Sequence, residues 1–400
     1  MSPLGIVGAG QLARMTCEAA SALGLSVTVL AERPDDAAVS TASQVLIGSP
    51  RDPDALAALA RRSGVVTFDH EHVDLAMLAS LEQDGALVRP GIGTLQLAVD
   101  KGQMRSQLAG AGIPVPAFAI LGSHGEGPGV GDPLPPELEV GAFADRHGWP
   151  VVLKAVRGGY DGKGVWQVAG TREAEEVCRH AGQSGVALLV EEAVPIDAEL
   201  AVLVARRPGG ETAIWPAVET AQIGGVCREV LVPGRLPRDV LDEAGALARR
   251  VADYCRPVGI LAVELFWAGG RLLVNEVAAR PHNSGHWTIE GSVTSQFENH
   301  VRAVLDLPLG DTSPSAPAVA SVNVFGDDPP TDPLRRLAGA LEVPGAHVHL
   351  YAKAPRPGRK LGHVTVLGDD PTDVRARAWA AARAFGSPVP DGLDLVGAVG

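Results

Sequence analysis

The sequence predicts an α/β protein with more than one domain, and three observations support this prediction. Residues 4–89 alternate short apolar strands with amphipathic helices, which is the pattern of a doubly wound, mostly parallel sheet. Two later hairpins, one rich in glycine and one carrying acids, indicate antiparallel sheets and therefore an α+β part. At 400 residues, the chain is too long for one compact core.

The composition excludes several classes of protein. The net charge of −13 argues against nucleic acid or an anionic membrane as the main partner. The cysteines are scattered, without a C-x-x-C pair, as is typical of small buried residues in a reducing compartment: Cys17, Cys178, Cys227 and Cys255. The sequence shows neither a basic-then-apolar leader nor an apolar run of membrane-spanning length, so we expect a cytoplasmic protein.

The chain opens with a strand (4–7), a turn at Gly8-Ala9-Gly10, a helix (11–23) and a second strand (25–30) that ends near Glu32. A G-x-G-x-x-A turn with an acid about 20 residues further on is what a dinucleotide site needs. A plain βαβ scaffold needs the same glycines for close packing. The acidic hairpin described below favours the scaffold interpretation.

The alternation continues to the end of this first domain, near Pro90. Strands are predicted at 45–47, 65–68 and 86–89, and helices at 54–62 and 75–81. Asp69-His70-Glu71-His72 follows a strand, at the carboxyl edge where open α/β sheets bind ligands. Consecutive residues point in different directions, so a metal shared by these side chains is the less favoured use.

The middle of the chain carries an anion-binding pattern. Residues 94–111 are predicted to form a helix containing Lys101, and residues 122–141 a Gly/Pro-rich surface insertion without assigned chemistry. Lys154 ends a strand at 151–154 and precedes the glycine-rich loop 158–164, whose backbone N–H groups can wrap a phosphate. The alternative is a flexible hairpin with a surface lysine.

The second hairpin carries two acids on apolar strands. If the turn Ala268-Gly269-Gly270 has three loop residues, position 264 lies opposite 274, and Glu264 and Glu276 are near-diagonal neighbours on one face. Two buried carboxylates repel each other, and a divalent cation relieves both the repulsion and the cost of burial. With Asn275, these hard oxygen ligands predict Mg²⁺ that also holds substrate phosphates. The alternative is two solvated hairpin charges.

A basic run closes the informative part of the chain. Residues 353–363 read K-A-P-R-P-G-R-K-L-G-H, a proline-braced turn that is either an anion-binding loop or a basic surface turn. Elsewhere in the second half, strands are predicted at 186–191, 199–205, 318–325 and 347–351, and helices at 238–256, 293–305, 334–340 and from 372.

Five separated motifs resemble one family. N-E-x-x-x-R-P-H at 275–282 resembles the metal-and-phosphate strand of ATP-grasp ligases. RPHNSGHWT at 280–288 with SQFENH at 295–300, GAGQL at 8–12, GGYDGKG at 158–164 and the 353–363 run resemble the 5-(carboxyamino)imidazole ribonucleotide synthases. The resemblance covers residues 5–363. It implies an ATP-grasp fold with a Rossmann-like domain (1–100), a small central lid domain (101–190) and a C-terminal metal and substrate domain (191–400).

The resemblance also implies the reaction and the partners. ATP and Mg²⁺ would drive the carboxylation of 5-aminoimidazole ribonucleotide by bicarbonate, through carboxyphosphate, with release of ADP and phosphate. The family implies a homodimer. Neither nucleic acid nor a membrane is an expected partner.

The site residues implied by the resemblance fall into overlapping sets. The nucleotide set is Lys101, Lys154, Gly158, Gly159, Tyr160, Asp161, Gly162, Lys163, Gly164, Glu191, Glu192, Ala193, Val194, Glu199, Gln222, Asn275 and Glu276. The ribonucleotide set is Gly10, Gln11, Leu12, Glu71, Tyr160, Arg280, His282, Asn283, Ser284, Lys353, Arg359 and Lys360. The catalytic set is Asp161, Lys163, Arg280, His282 and Lys353, and the metal set is Glu264, Asn275 and Glu276.

Within these sets the resemblance implies individual roles. Residues 191–194 would contact the adenine, and Glu191 or Glu199 the ribose, while Gln222 stands where the family often has histidine. Lys154 and the glycine loop would offset phosphate charge, and Arg280 and His282 would hold bicarbonate or carboxyphosphate, assisted by Lys163. Asp161 would orient or deprotonate the attacking amine. Lys353, Arg359 and Lys360 would contact the substrate phosphate.

Three other functions stay open. An ATP-grasp ligase for another ribonucleotide, such as the formate-using glycinamide ribonucleotide enzyme, shares N-E-x-x-x-R-P-H. An NAD-dependent oxidoreductase explains only the first 32 residues. A nucleotide-binding protein without catalysis is disfavoured because Lys154, Glu264, Asn275 and Glu276 are all present.

Overall fold

A computed structural model describes residues 2–122, 135–159 and 163–390. These residues form three sheets: a four-stranded parallel sheet, a four-stranded antiparallel sheet and a nine-stranded antiparallel sheet. The domain bounds expected at 100 and 190 stay a prediction. Most of the predicted insertion, at 123–134, lies outside the described residues.

The first sheet is parallel, with the strand order β3-β2-β1-β4. Its strands are β1 (Ser2–Val7), β2 (Val27–Ala31), β3 (Gln44–Ile47) and β4 (Ser63–Phe68), and its helices are α1 (Gln11–Ala22), α2 (Pro53–Arg62) and α3 (Leu75–Gln83). The strand predicted at 86–89 is wrong, because this stretch forms an isolated bridge between Val88 and Val66. Pro90 follows directly and has no N–H to continue the pairing.

The helix predicted over 94–111 is interrupted, so that prediction is wrong in part. The stretch contains α4 (Ile92–Val99) and α5 (Lys101–Gly110), separated by Asp100. Asp100 is extended, and its carboxylate accepts a hydrogen bond from the N–H of Gln103 at 2.8 Å, which is N-cap geometry. Lys101 therefore lies in the first turn of α5.

The second sheet has the order β5-β8-β6-β7 and packs against two helices. Its elements are β5 (Phe118–Ile120), α6 (Pro136–His147), β6 (Val151–Ala155), β7 (Val165–Val168), α7 (Thr171–Gln183) and β8 (Leu188–Glu192). The prediction that 122–141 lacks structure is wrong at its end. Pro136 occupies the first position of α6, where its fixed φ suits a helix and its missing N–H costs nothing.

The third sheet runs β14-β13-β9-β11-β12-β15-β17-β16, with β10 paired to β9. Its strands are β9 (Ile196–Arg206), β10 (Thr212–Ile214), β11 (Val218–Ile223), β12 (Val226–Val232), β13 (Gly259–Ala268), β14 (Arg271–Ala278), β15 (Ala318–Phe325), β16 (Ala346–Leu350) and β17 (Lys360–Gly368). Its helices are α8 (Arg238–Cys255), α9 (Thr288–Gly291), α10 (Gln296–Val304), α11 (Leu337–Leu341) and α12 (Pro371–Ala384).

The acidic hairpin β13–β14 turns through two residues, not the three predicted. Gly269 and Gly270 both have positive φ, as a type I′ turn requires. Beyond the pair Leu265 and Val274, a bulge leaves Asn275 outside the ladder and places Glu264 directly opposite Glu276. The predicted register, 264 opposite 274, is wrong by two positions, and the acids are direct neighbours rather than diagonal ones.

Helix α10 joins the first sheet to the third. Val301 and Val304 pack in the hydrophobic core of the first sheet. His300 is buried, accepts a hydrogen bond from the N–H of Ile260 at Nδ1 (3.3 Å), and bonds through Nε2 to Thr67 Oγ1 (2.9 Å). Among the residues with described structure, we find no helix long and apolar enough to cross a bilayer.

Candidate active site

The two hairpin acids form the centre of the site. Glu264 faces Glu276, and Glu199 lies on the same face of β9, two residues from the position that pairs with Glu264. Burial raises the pKa of Glu264 to about 8, and the nearby Glu276 and Glu199 add to the shift. Burial alone raises the pKa of Glu199 to about 7. An acid patch of this kind binds a cation favourably.

Two lysines from other elements reach this patch. Lys101 Nζ lies 2.8 Å from Glu276 Oε2. Burial opposes ionisation of Glu276, but the ammonium groups of Lys101 and Lys154 outweigh it and lower the pKa of Glu276 to about 2. Lys154, on β6, donates to Asn275 Oδ1 at 3.1 Å. The site therefore lies between the second and third sheets.

Glu191, on β8, is held by two cations. Arg105 Nε lies 2.5 Å from Glu191 Oε1, and Lys154 Nζ lies 2.6 Å from Oε2. Burial opposes ionisation of Glu191, but Arg105 and Lys154 outweigh it, so its pKa is lowered. Both oxygens of the Glu191 carboxylate are therefore already paired.

Arg105 is not among the residues predicted from the sequence. It lies four residues after Lys101 on α5, and residues at this spacing share a helix face. That spacing is the signal that could have identified Arg105 once Lys101 had been placed in the site.

Arg280 forms a partly buried ion pair with Glu71. Its Nε lies 2.6 Å from Glu71 Oε2, which joins the loop after β14 to the loop after β4. Burial opposes the charge of Arg280, but Glu71 outweighs it and raises the pKa of the guanidinium. Two residues predicted to contact substrates therefore meet, and Arg280 stays cationic.

His282 is a neutral donor directed at the acid patch. Its Nε2 lies 3.6 Å from Glu264 Oε1. Its Nδ1 accepts a hydrogen bond from the N–H of Ser284 at 3.4 Å, which assigns the proton of the neutral ring to Nε2. Burial, with Arg280 adding to it, lowers the pKa of His282 to about 3. The Gln296 side chain bonds both the N–H and the C=O of His282, at 2.9 and 2.7 Å.

The glycine turn of the first domain holds a carboxylate. Asp69 Oδ2 accepts a hydrogen bond from the N–H of Gly10 at the start of α1. A Cβ at Gly8 or Gly10 would lie 2.5 or 2.6 Å from the carboxylate oxygens. The glycines thus make room for Asp69, which occupies a backbone N–H that the pyrophosphate of a dinucleotide would need.

Gln11 connects the glycine turn to two other substrate candidates. Its side-chain amide donates to Asn283 Oδ1 at 3.4 Å, and its carbonyl oxygen accepts from Lys353 Nζ. Lys353 Nζ also lies 5.6 Å from the ring centroid of Tyr351. Residues separated by more than 300 positions in the chain therefore meet at one point.

Three further predicted substrate residues are Arg359, Lys360 and Leu12. Arg359 donates to the backbone carbonyl of Ala354 at 3.0 Å. Lys360 is the first residue of β17, and its charge contributes to the lowered pKa of His282. Leu12 is 7% exposed and packs against apolar side chains, so its side chain is a core residue.

The remaining nucleotide candidates lie around the junction of the second and third sheets. Glu192 accepts a hydrogen bond from the N–H of Ala117 at 3.0 Å, and Ala193 and Val194 follow before β9 begins. Gln222 lies just after a register shift in β11, on the face that carries Glu199.

The glycine loop is described only at its ends. Gly158 has a φ of +81°, and a Cβ at Gly159 would lie 2.7 Å from the carbonyl oxygen of Lys163, so neither position accepts a side chain without strain. The predictions for three residues fall outside the described residues: Tyr160, Asp161 and Gly162.

Comparisons with known proteins agree on one family. Family models match along the chain: the ribonucleotide synthetase preATP-grasp domain at 1–99, the ATP-grasp domain at 110–297 and the phosphoribosylaminoimidazole carboxylase C-terminal domain at 319–377. The chain is 47% identical over 382 residues to the N5-carboxyaminoimidazole ribonucleotide synthase of Mycobacterium bovis, covering 94% of this chain and 86% of that protein.

Solved structures agree with the sequence comparison. The crystal structure of N5-carboxyaminoimidazole ribonucleotide synthetase from Thermus thermophilus matches with a TM-score of 0.84 at 36% identity, covering 96% of this chain and 99% of the other. The synthase of Aspergillus clavatus in complex with ADP and 5-aminoimidazole ribonucleotide matches with a TM-score of 0.84 at 28% identity, covering 96% and 98%.

Proposed function

The chain belongs to the N5-carboxyaminoimidazole ribonucleotide synthases of the ATP-grasp superfamily, and we propose that the cluster around Glu264, Glu276 and Lys154 is where it uses ATP. The enzyme is an ATP-grasp ligase that carboxylates 5-aminoimidazole ribonucleotide in purine biosynthesis. The observation that supports this assignment of the site is the convergence of Lys154 from the second sheet on Asn275 of the third.

The donor set at the hairpin fits Mg²⁺. Glu264, Asn275 and Glu276 offer hard oxygen atoms. Burial and the neighbouring Glu276 raise the pKa of Glu264, and a bound cation would oppose that shift. Among the described residues, no group of three or more His, Cys, Asp or Glu side chains could hold a metal by itself, so ATP phosphates would complete the coordination. When bound, the ion supplies charge neutralisation for the phosphates.

Lys101 and Lys154 supply fixed positive charge for the nucleotide. Both lie against the acid patch, and Lys154 is largely buried. Burial lowers the pKa of Lys154, with Arg105 adding to the shift, while the carboxylate of Glu191 opposes it. In the reaction, an oxygen of bicarbonate attacks the γ-phosphorus and the bond to the ADP oxygen breaks, which gives carboxyphosphate. Cations next to the phosphate oxygens that do not react stabilise the charge of the transition state and so favour this step.

Arg280 and His282 are placed to hold bicarbonate and carboxyphosphate. Arg280 is a permanent cation, and His282 donates through Nε2 without adding charge. The substrate amine then attacks the carboxyl carbon, phosphate leaves, and the amine nitrogen releases a proton. Asp161 as the group that orients or deprotonates this amine, and Lys163 as an assisting cation, stay predictions.

The substrate ribonucleotide would lie between the first and third domains. Gln11, Asn283 and Lys353 meet there, beside the pair of Arg280 and Glu71. Lys353, with Lys360 and Arg359 nearby, would hold the ribonucleotide phosphate. A dinucleotide at the glycine turn is disfavoured because Asp69 already occupies the N–H of Gly10.

Phosphate release from Mg-ATP, with and without 5-aminoimidazole ribonucleotide at controlled bicarbonate, tests the function. We expect release to require the ribonucleotide and a labile carboxylated product to be trapped. Equal stimulation by glycinamide ribonucleotide would contradict the substrate assignment. Lys154→Met should abolish release, whereas Arg235→Met, which removes an Arg–Glu pair outside the site, should retain it.

The assembly is a proposal that rests on the family resemblance, and the location is a proposal that rests on the scattered, unpaired cysteines. We propose a homodimer in the cytoplasm. Sedimentation equilibrium at micromolar concentration tests the first proposal, and a mass of one chain would contradict it. Fractionation of the producing cells tests the second.

A further inference from the structure

Lys154 belongs to a largely buried triad of charged side chains. It consists of Arg105, Glu191 and Lys154, from α5, β8 and β6, and the side chains of Arg105 and Glu191 are 1% and 3% exposed. Arg105 donates through Nε to Glu191 and through Nη1 to the backbone carbonyl of Val274, at 3.2 Å. Val274 directly precedes the bulged Asn275, so one guanidinium bonds both to the partner of Lys154 and to the strand that carries the metal candidates.

The charges of Arg105, Lys154 and Glu191 define a role for Arg105. Two cations face one carboxylate, so the triad carries a net charge of +1. Without Arg105, Lys154 and Glu191 would form a neutral buried pair. The carboxylate 2.6 Å away would then cancel the charge of the ammonium group. With Arg105, Glu191 is neutralised from its other oxygen, and Lys154 still carries charge to Asn275 and beyond.

We propose that Arg105 is a positioning residue, which keeps the charge of Lys154 available to the nucleotide phosphates and fixes its place beside Asn275. This inference rests on the function proposed above, because it assigns Lys154 to ATP. It predicts that Arg105 acts through charge, not only through packing, and that its effect falls on nucleotide affinity.

Three variants separate charge from packing. In Arg105→Met the triad becomes neutral, and we expect the KM for ATP to rise at least tenfold with a smaller change in kcat. In Arg105→Lys the charge is kept while the bond to Val274 is lost, so most of the affinity should remain. In the double variant Arg105→Met/Glu191→Gln the net charge returns to +1, and we expect the KM for ATP to recover toward that of the wild type.

The measurements are steady-state kinetics and calorimetric binding of ADP, with the thermal midpoint of each variant as a check on folding. An unchanged KM in Arg105→Met, or a double variant no better than the single one, would overturn the proposal. Arg235→Met is the matched control and should leave ADP affinity unchanged. Wild-type protein that binds ADP but releases phosphate without the ribonucleotide would instead overturn the proposed function and leave the Arg105 test intact.

Discussion

The buried carboxyl group of Glu264, a proposed metal ligand, destabilises the metal-free folded protein when it is ionised. Burial and Glu276 raise its pKa from 4.5 to about 8, so the folded protein holds a proton that the unfolded chain releases above about pH 4.5. The stability from this proton is complete below that pH and is lost as the pH rises toward 8. Metal-free Glu264→Gln should therefore be more stable than the wild type at pH 8, by about 2–4 kcal/mol, and lose ribonucleotide-dependent phosphate release.

Urea unfolding in EDTA at pH 5 and pH 8 measures this difference. The gain should shrink toward pH 5, where the wild-type carboxyl is protonated in the folded state. Asp242→Asn, at an exposed position on α8, serves as the control for loss of a negative charge. Identical unfolding of Glu264→Gln and the wild type at pH 8 would contradict the interpretation that ionised, buried Glu264 destabilises the folded protein.

Arg280 tests whether the anion site needs a planar cation. Lysine at this position could still pair with Glu71, but it cannot offer the second, parallel N–H of a guanidinium to bicarbonate. We expect Arg280→Lys to reduce kcat/KM for bicarbonate by about 100-fold with little change in the KM for ATP. Bicarbonate-dependent kinetics measure the effect, and a variant with the wild-type rate would remove Arg280 from the anion site.

Among the elements, α5 depends on the cap at Asp100. The carboxylate caps Gln103 and also pairs with Arg157, with the closest atoms 2.8 Å apart. Asp100→Ala should cost about 1 kcal/mol of unfolding free energy and raise the KM for ATP, because α5 carries Lys101 and Arg105. Asp100→Asn keeps a capping oxygen and should retain most of both. Denaturant unfolding and ATP kinetics compare the two variants; equal losses in both would show that the cap is not the cause.

Local sequence patterns predicted elements better than their junctions. The alternation of residues 4–68 located β1 to β4, because buried strands and amphipathic helices each have their own period. The predicted hairpin register is wrong for two reasons. Gly269-Gly270 is a two-residue turn signal that the expected three-residue loop did not use, and nothing in the apolar pattern shows that Asn275 leaves the ladder. The break at Asp100 was missed because aspartate inside a helical pattern is also compatible with an uninterrupted helix.

For the whole molecule, the sequence named candidate acids and cations but not their pairing, and it did not name Arg105. Glu264 and Glu276 are close in sequence, so hairpin geometry alone placed them on one face. Lys154 reaches Asn275 across two sheets, and Lys353 reaches Gln11 across most of the chain. Such contacts depend on how the domains pack, and family resemblance names the residues without giving their partners.

The stability of the folded protein at acidic pH depends on buried titratable groups in several parts of the molecule. Burial lowers the pKa of five histidines, of which His72 is one. The other four have pKa values well below 6.5, so each of them stays neutral in the folded protein at a pH where the unfolded chain protonates it. These are His282, His286, His300 and His363. A lowered histidine pKa means that stability is lost as the pH falls below about 6.5. Three acids with raised pKa act in the opposite sense: Asp69, Glu199 and Glu264.

The five histidines with a lowered pKa outnumber the three acids with a raised pKa, so we expect stability to fall as the pH falls from 6 to 5. Each net proton that the unfolded chain takes up contributes about 1.4 kcal/mol per pH unit. Urea unfolding across this range measures the slope. His300→Gln should reduce the slope by one proton, because it removes the histidine that joins β4 to β13 through Thr67 and Ile260. Its stability at pH 7 should be lower, since those buried bonds are weakened. The two curves should therefore converge as the pH falls, and parallel curves would show that His300 is protonated in the folded protein.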